Sequence, residues 1–291
     1  MRIIMSTTVT LQSAELETDI STHGAELQSL RRKNGMEYLW QGDADVWSGR
    51  SPILFPICGG LKDGMYVFDG RKYKLEKHGF AKKLDFKLES QNRSRAVFLL
   101  CESEDTLISY PFRFDFRVCY ELDGKKLTVT YDIKNKSEKT MYFSCGAHEG
   151  FALPCGVNGC KIMFEKPESL NSCKVADGIL SSEYEKISEN SQLLSLNEDY
   201  FKEDALIFKE LASRSVTLVN DSGDRRIRVD FEGFDHLLLW QVCGAKFLCI
   251  EPWTGLPDIV GSDFELTRKE SITSLEAGRS VSYTHHITIL D

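Results

Sequence analysis

The feature that most constrains this chain is period-two alternation on both sides of a tight turn. Leu127, Val129, Tyr131 and Ile133 alternate with polar residues, as a strand with one buried face requires. Phe114, Phe116, Val118, Tyr120 and Leu122 repeat the pattern just upstream. Asp123-Gly124 lies between the two runs and tolerates positive φ, which predicts a hairpin. A second hairpin is predicted at Asp69-Gly70, between strands at 65–68 and 72–75. Further strands are expected at 96–100, 216–219, 227–231, 237–242, 247–250 and 281–289, with short polar or glycine-containing segments between them. Antiparallel sheets built this way bury one face against another sheet, so the expected fold is all-β, a large antiparallel β-sandwich. No stretch carries a long amphipathic helix. Residues 182–196 are read as holding a short helical turn, and the serine-rich segment 165–203 as an unpatterned excursion over a binding face.

Neither an internal repeat nor a Pro/Gly-rich linker divides the 291 residues, so one domain over 1–291 is expected. The net charge of -8 comes with scattered basic residues, which argues against a nucleic-acid groove or an anionic membrane as partner. Nine cysteines, an odd number without a CxxC pair, spell neither a zinc ribbon nor a disulfide framework and point to a reducing compartment. Residues 1–6 are too short in their apolar part for a signal segment, and no run approaches the ~18 apolar residues of a membrane helix. A cytoplasmic location is expected.

Three segments are suited to chemistry. Lys77-His78-Gly79 and Gly146-Ala147-His148-Glu149-Gly150 set histidines beside glycines, where backbone can approach a ligand closely. Histidine both donates and accepts protons near neutral pH. In Phe247-Leu248-Cys249-Ile250-Glu251-Pro252-Trp253 a carboxylate ends an apolar strand, where partial desolvation favours a general base. Trp253 adds an aromatic platform suited to the C–H face of a sugar. His285 and His286 are neighbours on a strand and face opposite ways, so they do not share a metal. His23 and His236 are read as structural.

Taken in order, Pro52 to Gly59, His78-Gly79-Phe80-Ala81, Gly146 to Phe151, Asp204 to Phe208 and Cys249 to Trp253 carry a resemblance. The chain resembles the aldose 1-epimerase family, in its LacX-type branch within the galactose mutarotase-like fold. The resemblance implies an open sugar cleft in a β-supersandwich and a reaction that needs no cofactor and no metal. It implies Glu251 as the base that takes the anomeric proton and His148 as the acid that protonates the ring oxygen. His78 and Asp204 match residues that hold sugar hydroxyls.

The chain departs from the family where relatives commonly carry arginine: it has Gly60 and Lys82. Lys82 keeps the charge without the planar fork, and Arg50 is taken to fill the vacancy. Ala147-His148-Glu149 replaces the usual Gly-His-Pro, and Glu149, if close, would raise the pKa of His148. The implied partner is a small-molecule sugar, on a chain acting as a monomer or weak homodimer. The alternative is a carbohydrate-binding protein that keeps the cleft without catalysis.

Overall fold

The two alternating runs form the strands Phe114–Asp123 and Lys126–Asn135 in a computed structural model that describes residues 6–290. Residues 1–5, which hold most of the short N-terminal apolar stretch, lie outside the described residues. The hairpin turn sits one residue later than expected. Asp123 pairs with Lys126, so Gly124 and Lys125 are central, and of these Gly124 alone has positive φ, at 53°. That is the II′ pattern, whose twist matches the flanking strands. In the second hairpin Phe68 pairs with Arg71, and both Asp69 and Gly70 have positive φ, as a type I′ turn requires.

The first hairpin lies within a nine-stranded antiparallel sheet. Its strands run, in spatial order, Ser191–Ser195, Lys161–Glu168, Ser215–Val219, Arg226–Asp230, Ser280–Ile289, Lys126–Asn135, Phe114–Asp123, Arg95–Cys101 and Lys87–Gln91. A four-stranded sheet faces it, in the order Glu149–Ala152, Phe247–Trp253, His236–Trp240 and Leu206–Phe208. Aromatic rings fill much of the core, with Phe55 stacked on Phe116 at 4.5 Å and edge-on to Phe114 at 5.1 Å. The expected all-β sandwich is the observed fold.

Two expectations from the sequence need correction. Residues 165–203 are not unpatterned, and 182–196 hold no helical turn. Lys161–Glu168 and Ser191–Ser195 belong to the large sheet, while Asn171–Ala176 and Ile179–Lys186 pair as a separate hairpin. Much of this segment is exposed on both faces, so it carries little of the apolar alternation that marks a half-buried strand. Among the described residues there is one α-helix, Glu104–Ser109, started by a capping box between Ser103 and Thr106.

Candidate active site

The strand Phe247–Trp253 is apolar except for Glu251 because both its faces are covered. Leu248 and Ile250 point into the main core. Phe247 and Cys249 pack under Trp40, Trp47 and Trp240 on the other side, and Trp253 joins a small cluster with Leu54 and Leu238. Glu251 falls on that second face, in register with Leu238. It does not end the strand as expected. The strand runs on through Pro252, whose missing N–H lies beyond the last residue paired with Glu149–Ala152, and whose carbonyl accepts from the Ala147 amide at 3.1 Å.

Close packing explains the glycines around His148. A Cβ on Gly146 would lie 2.6 Å from Trp253 Cδ1, and one on Gly150 would lie 2.9 Å from Trp47 Cζ3. Trp253 and Trp47 press on the segment at its two glycines, and Trp47 and Trp240 hold the imidazole. Trp47 lies over the His148 ring at 5.3 Å, and Trp240 meets it edge-on at 5.5 Å.

His148 Nε2 approaches Glu251 Oε2 to 3.3 Å, too poorly aligned for a hydrogen bond. Glu251 is 1% exposed, and burial raises its pKa well above the usual carboxylate value, with Asp204 and Glu149 adding to the rise. Burial also lowers the His148 pKa to about 3, and Lys77 and Lys82 push it the same way. Burial thus favours the uncharged forms of both groups, a carboxyl beside an imidazole. Among the described residues, His148 Nδ1 and Glu251 Oε2 have no hydrogen-bond partner.

A cavity of about 210 Å³ opens over this pair, lined also by His78, Lys82, Asp204 and Trp253. This is below the ~300 Å³ at which drug-sized pockets begin and suits one small ring. The Gly59 amide donates to His78 Nδ1 at 3.1 Å, which leaves the ring proton on Nε2. Burial holds His78 neutral, with its pKa well below the usual value. Trp253 donates through Nε1 to the Ala147 carbonyl at 3.1 Å and so presents its ring rather than its polar atom. Asp204 Oδ1 accepts from the Ala205 amide at 2.8 Å.

Arg50 does not join them. Its guanidinium turns to the Gln28 carbonyl at 2.7 Å and Gln41 Oε1 at 3.2 Å, and it does not line the cavity. The space at Gly60 is filled from elsewhere. A Cβ there would lie 2.9 Å from the Gly178 carbonyl oxygen, at the tip of the Asn171–Ala176/Ile179–Lys186 hairpin, and Val175 and Gly178 wall the cavity. Glu149 is also misplaced by the sequence reading: it faces the opposite side of its strand from the cleft and bonds His285, and the His148 pKa is lowered, not raised. His285 is buried and His286 half-buried, bonding Thr128, so the two do face apart. His23 pairs with Asp85, and His236 lies 3.3 Å from the Lys209 carbonyl.

Sequence reasoning missed Lys77, Trp240 and the hairpin wall. Lys77 adjoins a histidine already singled out, and Trp240 pairs with Cys249 across the strands, a register the sequence did not supply. His148, Cys249 and Glu251 offer metal-ligand atoms within 4.8 Å of one another. Burial raises the Cys249 thiol pKa well above its usual value, and Glu251 and Glu149 push it the same way. Among the described residues no helix is long and apolar enough to cross a membrane.

Known proteins share this architecture. The model of the aldose 1-epimerase family matches residues 7–273. The plasmid and chromosomal LacX proteins of Lactococcus lactis subsp. lactis are each 33% identical over 299 residues, covering 98% of this chain and all of theirs. A galactose mutarotase related enzyme from Lactobacillus acidophilus superimposes with a TM-score of 0.92 at 31% identity, over 98% of both chains. A galactose mutarotase-like protein from Lactobacillus casei gives 0.93 at 27% identity, over 98% of this chain and 100% of that one. With a cleft of this construction and a family match over nearly its whole length, the chain belongs to the aldose 1-epimerase family.

Proposed function

We propose that the protein interconverts the α and β anomers of a free aldose by acid–base ring opening, with Glu251 as base and His148 as acid. The observation that carries this reading is the 3.3 Å approach of His148 Nε2 to Glu251 Oε2 at the floor of a small cavity walled by tryptophans. The uncharged pair favoured by burial holds one proton, the same number as a carboxylate beside an imidazolium. Polar groups of a bound sugar would favour the charged form by supplying the missing hydrogen-bond partners. Glu251 then takes the proton from the anomeric hydroxyl, a carbonyl forms at C1, the C1–O5 bond breaks, and His148 delivers its proton to O5. Rotation about C1–C2 and the reverse steps close the ring on its other face. Each positioned proton transfer contributes ~10²- to 10⁴-fold. His78, Asp204, Lys82 and Trp253 would position the ring. The chain is taken to work as one cofactor-free domain in the cytoplasm.

A second reading, sugar binding without catalysis, draws on the same pair. An imidazole with a pKa near 3 is a reluctant proton carrier. Anomer exchange followed by NMR across a panel of reducing sugars separates the two. Catalysed exchange that drops to the buffer rate in both Glu251→Gln and His148→Asn supports the reaction. Saturable binding without exchange supports the second reading.

A further inference from the structure

The rim of the cleft carries charge that a neutral sugar leaves unused. Lys77 and Lys82 both line the cavity. Among the described residues neither ammonium lies within 4.0 Å of a carboxylate. Glu76, the acidic residue of the same loop, is taken by Lys83. Lys82 is half-buried, and its Nζ donates to the Lys77 carbonyl at 3.0 Å, which draws the two residues together and leaves both positive charges in place. Lys77 is exposed. Burial favours the uncharged form of Glu251, which leaves Asp204 as the other acidic residue lining the cavity. On a chain of net charge -8, a cationic edge at the mouth of a cavity runs against the general field and concentrates anions there.

Resting on the mutarotase reading above, we propose that the aldose bears an anionic group, a phosphate or a carboxylate, held at the rim by Lys77 and Lys82. Depth orders the ligand. Glu251 and His148 are buried at the floor and take the anomeric end, while the charged substituent remains near solvent beside the lysines. Such a ligand would also act on the chemistry. Both lysines disfavour the imidazolium form of His148, and a bound anion between them and solvent offsets that penalty. A neutral aldose leaves it in full.

Anomer exchange by NMR tests this with one aldose in three forms: neutral, 6-phosphate and uronate. The expected result is a kcat/KM for an anionic form about tenfold or more above the neutral form, as charge-assisted hydrogen bonds to the ammoniums would give. Added salt and the double variant Lys77→Gln/Lys82→Gln should bring the ratio towards one, while Lys82→Arg retains it. A larger gain for the phosphate assigns the site to phosphoryl groups, and a larger gain for the uronate to carboxylates. Equal kcat/KM for neutral and anionic forms, or a preference that survives the double variant, overturns the proposal. Dissociation constants measured on Glu251→Gln by calorimetry separate this from failure of the reaction itself. Lysine-dependent preference for the anionic form in binding, without exchange in the wild type, removes the reaction and keeps this inference. Exchange of neutral and anionic forms at equal efficiency does the reverse, and a protein that binds none of the three sugars overturns both.

Discussion

Glu149 and His285 join the two facing sheets through a contact of 2.9 Å between Glu149 Oε1 and His285 Nε2, with both side chains buried. Removing one partner strands the other in the core. His285→Leu should cost about 3–5 kcal/mol, the usual penalty for breaking a buried pair, and Glu149→Gln much less because an amide still bonds the imidazole. Urea midpoints measure both. Since the pair faces away from the cleft, the exchange rate per folded molecule should change little beyond the effect of the Glu149 charge on Glu251.

The proton held between Glu251 and His148 should shape stability against pH. The raised Glu251 pKa makes the folded state keep a proton above about 4.5 that the unfolded chain gives up, so this group alone loses stability as pH rises. The lowered His148 pKa makes the unfolded chain take a proton below about 6.5 that the folded state refuses down to about 3, so this group alone loses stability as pH falls. Between about 4.5 and 6.5 the two effects oppose and the pair contributes a plateau. Glu251→Gln should turn that plateau into a loss towards acid, and His148→Asn into a loss towards neutral pH. Chemical denaturation at several pH values reads the slopes.

Gly60→Arg, the residue relatives commonly carry, should destabilise the protein rather than restore a missing grip. Its Cβ would press on a backbone oxygen, and the strain of overpacking runs to about 1–3 kcal/mol. A lowered melting temperature together with weaker sugar binding is the expected outcome.

The hairpin that occupies this place is anchored from below. Asp258 donates its amide to the Gly60 carbonyl, accepts the Leu180 amide on its own carbonyl, and pairs its carboxylate with buried Lys269 at 2.8 Å. Lys269→Met leaves that carboxylate uncompensated, with an expected loss of about 3–5 kcal/mol. Hydrogen exchange should show the Leu180 and Asp258 amides opening earlier than the core of the large sheet.

The legible parts of this fold were those where one face meets water and the other the core. Residues 113–133 announced their strands and hairpin because burial alternates along them, with only the turn displaced by a residue. The hairpin of residues 171–186 stands largely clear of the core, and its sequence gave no such signal. Glu251 was legible as chemistry but misplaced as a strand end, because Pro252 ordinarily stops a strand and here sits where one side needs no donor. His78, His148 and Asp204 were found through ordered motifs and do gather on one cavity. Arg50 was assigned by charge alone, and the carbonyl of Gln28, invisible to any motif, holds it elsewhere.

The Gly59 amide on His78 Nδ1 bears on how the cleft would read a sugar under the proposed function. A histidine whose one ring nitrogen is spoken for and whose charge is suppressed by burial has a single fixed vocabulary: it offers a hydrogen and accepts none. Under the function proposed above, it would recognise a hydroxyl oxygen by its direction and so distinguish axial from equatorial configuration. On that reading, stereochemical choice and proton traffic would be lodged in different histidines of the same small chamber, both kept uncharged by burial.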